Sequence, residues 1–345
     1  MLKFKFLLSA ISRYRHTISL YRLWNLLLVK LSFFISTKVK KTVFTGMPVS
    51  ISIEPTTACN LRCPECPSGL RSFTRPTGNI KFELFKRTID QMHSHVMQLN
   101  FYFQGEPFIH PQFCDMVSYA HSKKIYTMTS TNAHFLHPAQ CTAVIQSGLN
   151  ELIISVDGTT QETYELYRKE GDLSKVLQGA KNMIEAKKNT KSKTPYLVFQ
   201  FLVVKHNEHQ IQDLYRLAEE YGIDEVRLKT AQIYNFKQGS DLIPEQEVYS
   251  RYRKTSNGEY QIKNQLLNEC WRMWQGCVIT WDGRVVPCCF DKDASHVLGK
   301  MENESFKAIW KGEQYTNFRN QLFISRSKIE ICQNCSEGSK VFSDI

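Results

Sequence analysis

Cys59, Cys63 and Cys66 stand in a C-x3-C-x2-C spacing just after a short apolar run, and this triplet is the tightest constraint on what the chain can be. Three soft sulfur ligands on one short loop suit an iron-sulfur cluster with one iron left open, since no fourth cysteine lies nearby. The competing reading is a structural zinc site, which prefers four ligands in two paired knuckles. Six further cysteines gather at Cys270, Cys277, Cys288, Cys289, Cys332 and Cys335, while Cys114 and Cys141 stand alone in apolar helical surroundings and read as core. Eleven cysteines in 345 residues are too few for a disulfide scaffold, and the number is odd. Clustered in a long chain, they read as ligands.

The pattern from residue 48 onward says where the triplet sits. Strands are expected at 49–53, 96–103, 125–129, 151–156, 196–204 and 225–229, and helices at 81–94, 113–121, 138–146, 173–186 and 209–221. Strand and helix alternate, which argues a parallel sheet with crossover helices, and functional groups then fall at the C-terminal strand ends. Residues 231–268 are polar and turn-rich and read as a connection of low regularity. Beyond them, Val278 to Cys288 reads as a β-hairpin turning at Asp282-Gly283.

Charge separates the N-terminal segment from the rest. The chain carries 44 Lys and Arg against 33 Asp and Glu, a net of +11. Nine of those cations (Lys3, Lys5, Arg13, Arg15, Arg22, Lys30, Lys38, Lys40, Lys41) precede the first carboxylate, Glu54. The remaining body is nearly neutral and lacks the spread of cations that nucleic-acid binding requires, so nucleic acid is not the expected partner. Residues 23–36 are interrupted by Lys30 and fall short of the roughly 20 apolar residues of a membrane span. The run FLLSAIS is followed by Arg-Tyr-Arg, so no cleaved signal is expected. Leu20, Trp24, Leu27 and Leu31 recur at helical steps, forming one face of a basic amphipathic helix. Residues 1–46 either lie on an anionic membrane surface or pack on the body of the protein.

The triplet in its context, EPTTACNLRCPECPSG over residues 54–69, resembles the radical S-adenosylmethionine (SAM) enzymes, in which such a loop follows the first strand of a partial (βα)6 TIM-type barrel. The resemblance implies a 4Fe-4S cluster on Cys59, Cys63 and Cys66. Its open iron binds SAM, which is reductively cleaved to a 5'-deoxyadenosyl radical that takes hydrogen from a substrate. It also implies SAM contacts at Gly105, Glu106 and Pro107, at the turn Thr131-Asn132, and at Ser155 and Asp157. Two positions depart from the family pattern: Glu65 stands where an aromatic residue is usual, and Gln104 where a glycine often begins the amine-binding loop.

The C-terminal cysteines look like a SPASM or twitch extension, which implies an auxiliary 4Fe-4S cluster on Cys270, Cys288, Cys332 and Cys335. Cys277 and Cys289 are left over, each a core cysteine or a further ligand. Relatives that oxidise sulfatase side chains carry an aspartate general base right after the equivalent auxiliary ligand. Cys289 holds that place here, and Asp291 is the candidate substitute.

The implied organisation is a basic arm at 1–47, a barrel at 48–232, a connection at 233–269 and a cluster domain at 270–345. The implied activity is oxidation of a peptide, a protein side chain or an aminosugar, fed by flavodoxin or ferredoxin, in the cytoplasm or on the inner membrane face. Two alternatives stay open, a non-catalytic metal scaffold docked to a membrane assembly and an RNA-modifying radical SAM enzyme.

Overall fold

A computed structural model describes residues 13–337. The early cations Lys3 and Lys5, the run FLLSAIS and the last eight residues lie outside that range. Six strands, β1 (Ser50–Ile53), β2 (Gln98–Asn100), β3 (Tyr126–Thr131), β4 (Glu151–Ser155), β5 (Tyr196–Val203) and β6 (Glu225–Thr230), pair in sequence order and all in parallel. Their crossovers run through helices that include Phe82–Met92, Phe113–Ser122, Pro138–Gln146, Leu173–Thr190 and Ile211–Tyr221. This is the expected partial barrel. β4 is buried at all five positions, as a strand covered on both faces must be. The helix Phe82–Met92 turns Phe85, Ile89 and Met92 into the core and its charged residues outward.

Two elements differ in length from the sequence expectation. The second strand is only Gln98–Asn100, and the chain bends at residues 103–105 into the site loop. The helix expected at 173–186 continues to Thr190 through Lys187 and Lys188, cations that suit a helix C-terminus but leave no apolar period to read. Within the connection lies a small antiparallel hairpin, β7 (Tyr252–Lys254) with β8 (Tyr260–Ile262).

The C-terminal hairpin forms as expected from β9 (Gly276–Ile279) and β10 (Arg284–Val286), with β11 (Gly299–Lys300) beside it. Unexpectedly, β9 pairs in parallel with β1, from Ser50 opposite Gly276 to Ile53 opposite Ile279, so barrel and extension share one nine-stranded sheet. The boundary near residue 270 is therefore no break in the core: Ile279, Trp274 and Phe306 belong to the same buried cluster as Ile51 and Leu99.

The N-terminal segment plugs the other end of the barrel. Tyr14 stacks on Tyr126 with ring centroids 4.1 Å apart and donates to Gln98 Oε1 at 2.8 Å. Arg13 lies over the Tyr196 ring. The helix Leu20–Val39 that follows is packed on the body with Arg22, Asn25, Val29, Ser32 and Ser36 buried, and the stripe of Leu20, Trp24, Leu27 and Leu31 points outward.

Candidate functional site

The loops at the C-terminal ends of β1 to β5 enclose a cavity of about 240 Å³. Cys59, Cys63 and Cys66 line it together with Gly105, Glu106, Thr131, Asn132, Ser155 and Arg168. Each feature of the loop that holds the thiols has a local cause. Cys66 precedes Pro67, which starts a one-turn helix, Pro67–Leu70. Ser68 in that turn accepts from Gly105 N at 2.9 Å. Gly105 has φ +77°, and a Cβ there would lie 2.3 Å from the Thr56 carbonyl oxygen, so only glycine fits. Glu106 N then donates to Ala58 O at 2.8 Å, locking the second loop onto the cysteine loop.

N–H groups face two of the sulfurs. Cys59 Sγ accepts from Leu61 N at 3.4 Å and Asn132 Nδ2 at 4.0 Å, and Cys63 Sγ from Arg168 Nη1 at 3.9 Å. Burial, with the acidic groups around it, pushes the Cys59 thiol up to about 12 and raises Cys63 as well, so ionisation there calls for the positive charge of a metal. Among the described residues no three His, Cys, Asp or Glu side chains converge as ligands of a single ion must. A four-iron cluster takes each cysteine on a different iron, and N–H donors on the sulfurs are what its thiolates call for. The three cysteines fit the cluster.

Glu106 is wholly buried and accepts from Thr131 Oγ1 at 2.8 Å, Asn132 N at 2.8 Å and Phe108 N at 3.2 Å. It staples the β2 loop to the end of β3. Burial outweighs those donors and pushes its carboxyl up to about 7. Two expected contact residues stand back from the cavity. Pro107 is buried in a 3-10 turn, and Asp157 accepts from Arg168 Nε at 2.5 Å and Leu202 N at 2.6 Å. Arg168, which no sequence signal marked, is the residue of that pair that reaches the cavity. At the position that departs from the usual aromatic, Glu65 accepts from Tyr234 N at 2.9 Å and ties the cysteine loop to the connection.

Cys270, Cys288, Cys332 and Cys335 line a second, largely apolar cavity walled by Met273, Phe290, Phe318, Leu322 and Ile331. Arg326 Nη2 and Glu337 N both donate to Cys335 Sγ at 3.3 Å. Burial pushes Cys270 up to about 11 and Cys332 to about 12. Four thiols round one dry pocket, with a buried guanidinium on one sulfur, fit a four-cysteine cluster. The connection supports the C-x2-C turn: Tyr252 donates to Asn334 Oδ1 at 2.8 Å, and Asn264 Nδ2 to Cys335 O at 2.7 Å.

The leftover cysteines lie elsewhere. Cys277 is buried in β9 within the main core, and Cys289 is exposed; both border a small cavity with Ser52, Asn100, Arg272 and Cys288. Asp291 does not stand where a base could act. It is buried, with Oδ1 accepting from Ser295 N and Oγ at 2.8 Å each and Oδ2 from His296 N at 2.9 Å. Its carboxylate closes the turn after Cys289 and lines neither cluster pocket.

That turn joins the two sites. Lys292 lines the first cavity, four residues after Cys288, which lines the second. Arg75 holds the turn, its Nε donating to Lys292 O at 3.0 Å while Nη1 and Nη2 bind both oxygens of buried Glu54 at 2.9 and 2.6 Å. Glu54, on the residue after β1, also accepts from Trp281 N at 3.2 Å.

A six-stranded parallel partial barrel with three cysteines beyond its first strand defines a radical SAM protein. The radical SAM superfamily model matches residues 53–218, and the SPASM model, an iron-sulfur cluster-binding domain, matches 270–336. The chain belongs to the radical SAM superfamily and carries a SPASM domain; its cofactors are SAM, the SAM-binding 4Fe-4S cluster and auxiliary iron-sulfur. It is 24% identical over 319 residues to the tungsten-containing aldehyde ferredoxin oxidoreductase cofactor-modifying protein of Pyrococcus furiosus, covering 82% of this chain and 86% of that one. A mycofactocin maturase of Mycobacterium ulcerans is 29% identical over 178 residues, which span 51% of this chain and 45% of the maturase. The fold resembles that of Streptococcus suis SuiB bound to S-adenosylmethionine, with TM-score 0.62 at 14% identity, covering 90% of this chain and 76% of SuiB.

Proposed function

We propose that this protein is a radical SAM oxidoreductase that dehydrogenates or crosslinks a peptide or cofactor precursor held between the barrel and the SPASM domain. The observation that carries the reading is the turn 288–293, which supplies an auxiliary ligand at one end and a wall of the SAM cavity at the other. When bound, the barrel cluster and SAM supply one-electron hydrogen abstraction, and the auxiliary cluster supplies an acceptor for the second electron of a two-electron oxidation.

The chain's own residues set the stage. Cys59, Cys63 and Cys66 hold the first cluster, and Leu61 N, Asn132 and Arg168 face its sulfurs. Gly105, Glu106, Thr131, Asn132 and Ser155 offer the polar rim for SAM. Cys270, Cys288, Cys332 and Cys335 hold the second cluster in an apolar shell. The electron donor is a flavodoxin or ferredoxin. The relatives favour a peptide or cofactor substrate: the matched proteins include a mycofactocin maturase and a cofactor-modifying protein, and SuiB has been solved with the precursor peptide SuiA.

The test is iron content and product. Anaerobically reconstituted protein should bind about eight irons, two cubanes' worth, and form 5'-deoxyadenosine with SAM and reductant. Iron near half that amount, unchanged when Cys332 and Cys335 become alanine, would remove the two-cluster reading.

A further inference from the structure

The helix Leu20–Val39 is mounted inside out. An amphipathic helix on a protein surface ordinarily buries its apolar stripe. Here Val29 with the partly buried Leu26 and Phe33 are the apolar contacts, and Arg22, Asn25, Ser32 and Ser36 on the packed face are fastened by hydrogen bonds. Arg22 donates to four carbonyl oxygens, those of Thr17, His93, Lys123 and Lys124, at 2.5–3.0 Å. Asn25 pairs with both backbone groups of Met47 at 2.8 Å, and Ser32 and Ser36 bond to the returning segment at Thr45 and Val43. These groups are satisfied only in this orientation, so the helix cannot roll to hide its other face without orphaning them.

That other face is apolar. Leu20 is 89% exposed and Trp24 59%, and Leu27, Leu31, Phe34 and Ile35 continue the line. Of the seventeen large apolar side chains exposed among the described residues, eleven lie between Ile18 and Val43. Scattered apolar residues need no explanation, but a stripe of this length does. Lys30, Lys38, Lys40 and Lys41 are all exposed on the helix or just past its end, Lys40 lying 4.0 Å from the Glu269 carboxylate, and no carboxylate occurs in the chain before Glu54. Two such helices face to face would bring like charges together, which argues against a second copy as the cover. A negatively charged, apolar-cored surface complements both features at once. Among the described residues no helix is long and apolar enough to cross a membrane.

We propose that the outward face of the helix Leu20–Val39 is a docking surface for an anionic lipid bilayer, lying in the interface with Trp24 and the leucines in the acyl boundary and the lysines on the headgroups. The body would then be held at the membrane through Arg22, Asn25, Ser32 and Ser36. The experiment is co-sedimentation of the full, cluster-loaded chain with vesicles of phosphatidylcholine alone or mixed with phosphatidylglycerol. Binding is expected to the mixed vesicles, falling with salt. It should drop more than about tenfold in the double variant Trp24→Glu, Leu27→Glu. Lys30→Glu and Lys38→Glu should each lower it about fivefold or more. Iron content and SAM binding should be unchanged in all variants, since these side chains touch neither cluster pocket. Equal binding to neutral vesicles, binding that survives the double variant, or no vesicle binding beside a dimer that the double variant dissociates would each overturn the proposal.

Discussion

Arg75 illustrates how much of the site hangs on one side chain. Its guanidinium meets both oxygens of Glu54, and both partners are nearly sealed from water. Removing one charge of such a pair leaves the other buried and alone, a cost of about 3–5 kcal/mol. Arg75→Ala should lower the denaturant midpoint accordingly and loosen the turn at Lys292, whereas Arg75→Lys should recover only part because it lacks the fork. A loss below about 1 kcal/mol would mean that water replaces the guanidinium. Glu106 gives a prediction in pH. Burial raises its carboxyl to about 7, above the ordinary value of 4.5. The native chain thus holds a proton that the unfolded chain releases. Stability is complete below about 4.5 and is lost as pH rises through about 7, by up to about 3 kcal/mol. Thermal melts of cluster-free protein should show this decline, and Glu106→Gln should flatten it. An identical slope in the variant would assign the effect elsewhere. The Glu54–Arg75 pair was invisible in the sequence because the partners are 21 residues apart with no periodic relation, and nothing local marks a buried charge.

Among the elements, the hairpin that joins the SPASM domain to the barrel rests on close backbone contact. A Cβ on Gly276 would lie 1.9 Å from the Ser50 carbonyl oxygen, so even Gly276→Ala forces β9 away from β1. Because β1 delivers the chain to Glu54 and the cysteine loop, the substitution should disturb both cluster sites. Iron binding should fall at both, and proteolysis should open the sheet between β1 and β9. Loss confined to the auxiliary iron would show instead that the strands are independent. The hairpin itself was legible from Asp282-Gly283 between apolar runs, and the barrel strands and helices from their alternating periods. The parallel pairing of β9 with β1 was not, since a strand's sequence records which face is buried and not which edge it meets. Arg168 was missed for a similar reason: it follows the helix Gln161–Tyr167 and reaches Cys63 only because Asp157 orients it. The apolar stripe of the N-terminal helix was legible in the sequence, and which of its faces packs on the body was not. Hydrophobic spacing located the stripe, but hydrogen bonds from Arg22 and Asn25 decided which side packs.

For the whole molecule, the buried thiols add an alkaline pH response before any iron is bound. Burial raises Cys59, Cys63, Cys270, Cys288, Cys332 and Cys335 above the ordinary thiol value, with the Cys59 and Cys332 thiols reaching about 12 and Cys270 about 11. An unfolded chain would begin to release those protons near pH 9, whereas the folded cluster-free chain keeps them. The stability these thiols contribute is therefore full below about pH 9 and falls as pH climbs toward 11 and 12, by up to about 1.4 kcal/mol per unit for each thiol. Ligation abolishes that slope, because a metal-bound sulfur carries no proton in the folded state. Loaded protein should hold its melting temperature from pH 8 to about 10 while cluster-free protein loses it, and loading near neutral pH should release about one proton per ligating cysteine. Replacing Cys332 and Cys335 with alanine should reduce the released protons and leave the contribution of Cys59, Cys63 and Cys66 intact. Parallel pH profiles for the loaded and cluster-free chains would contradict the assignment of these thiols as ligands at both ends of the shared sheet.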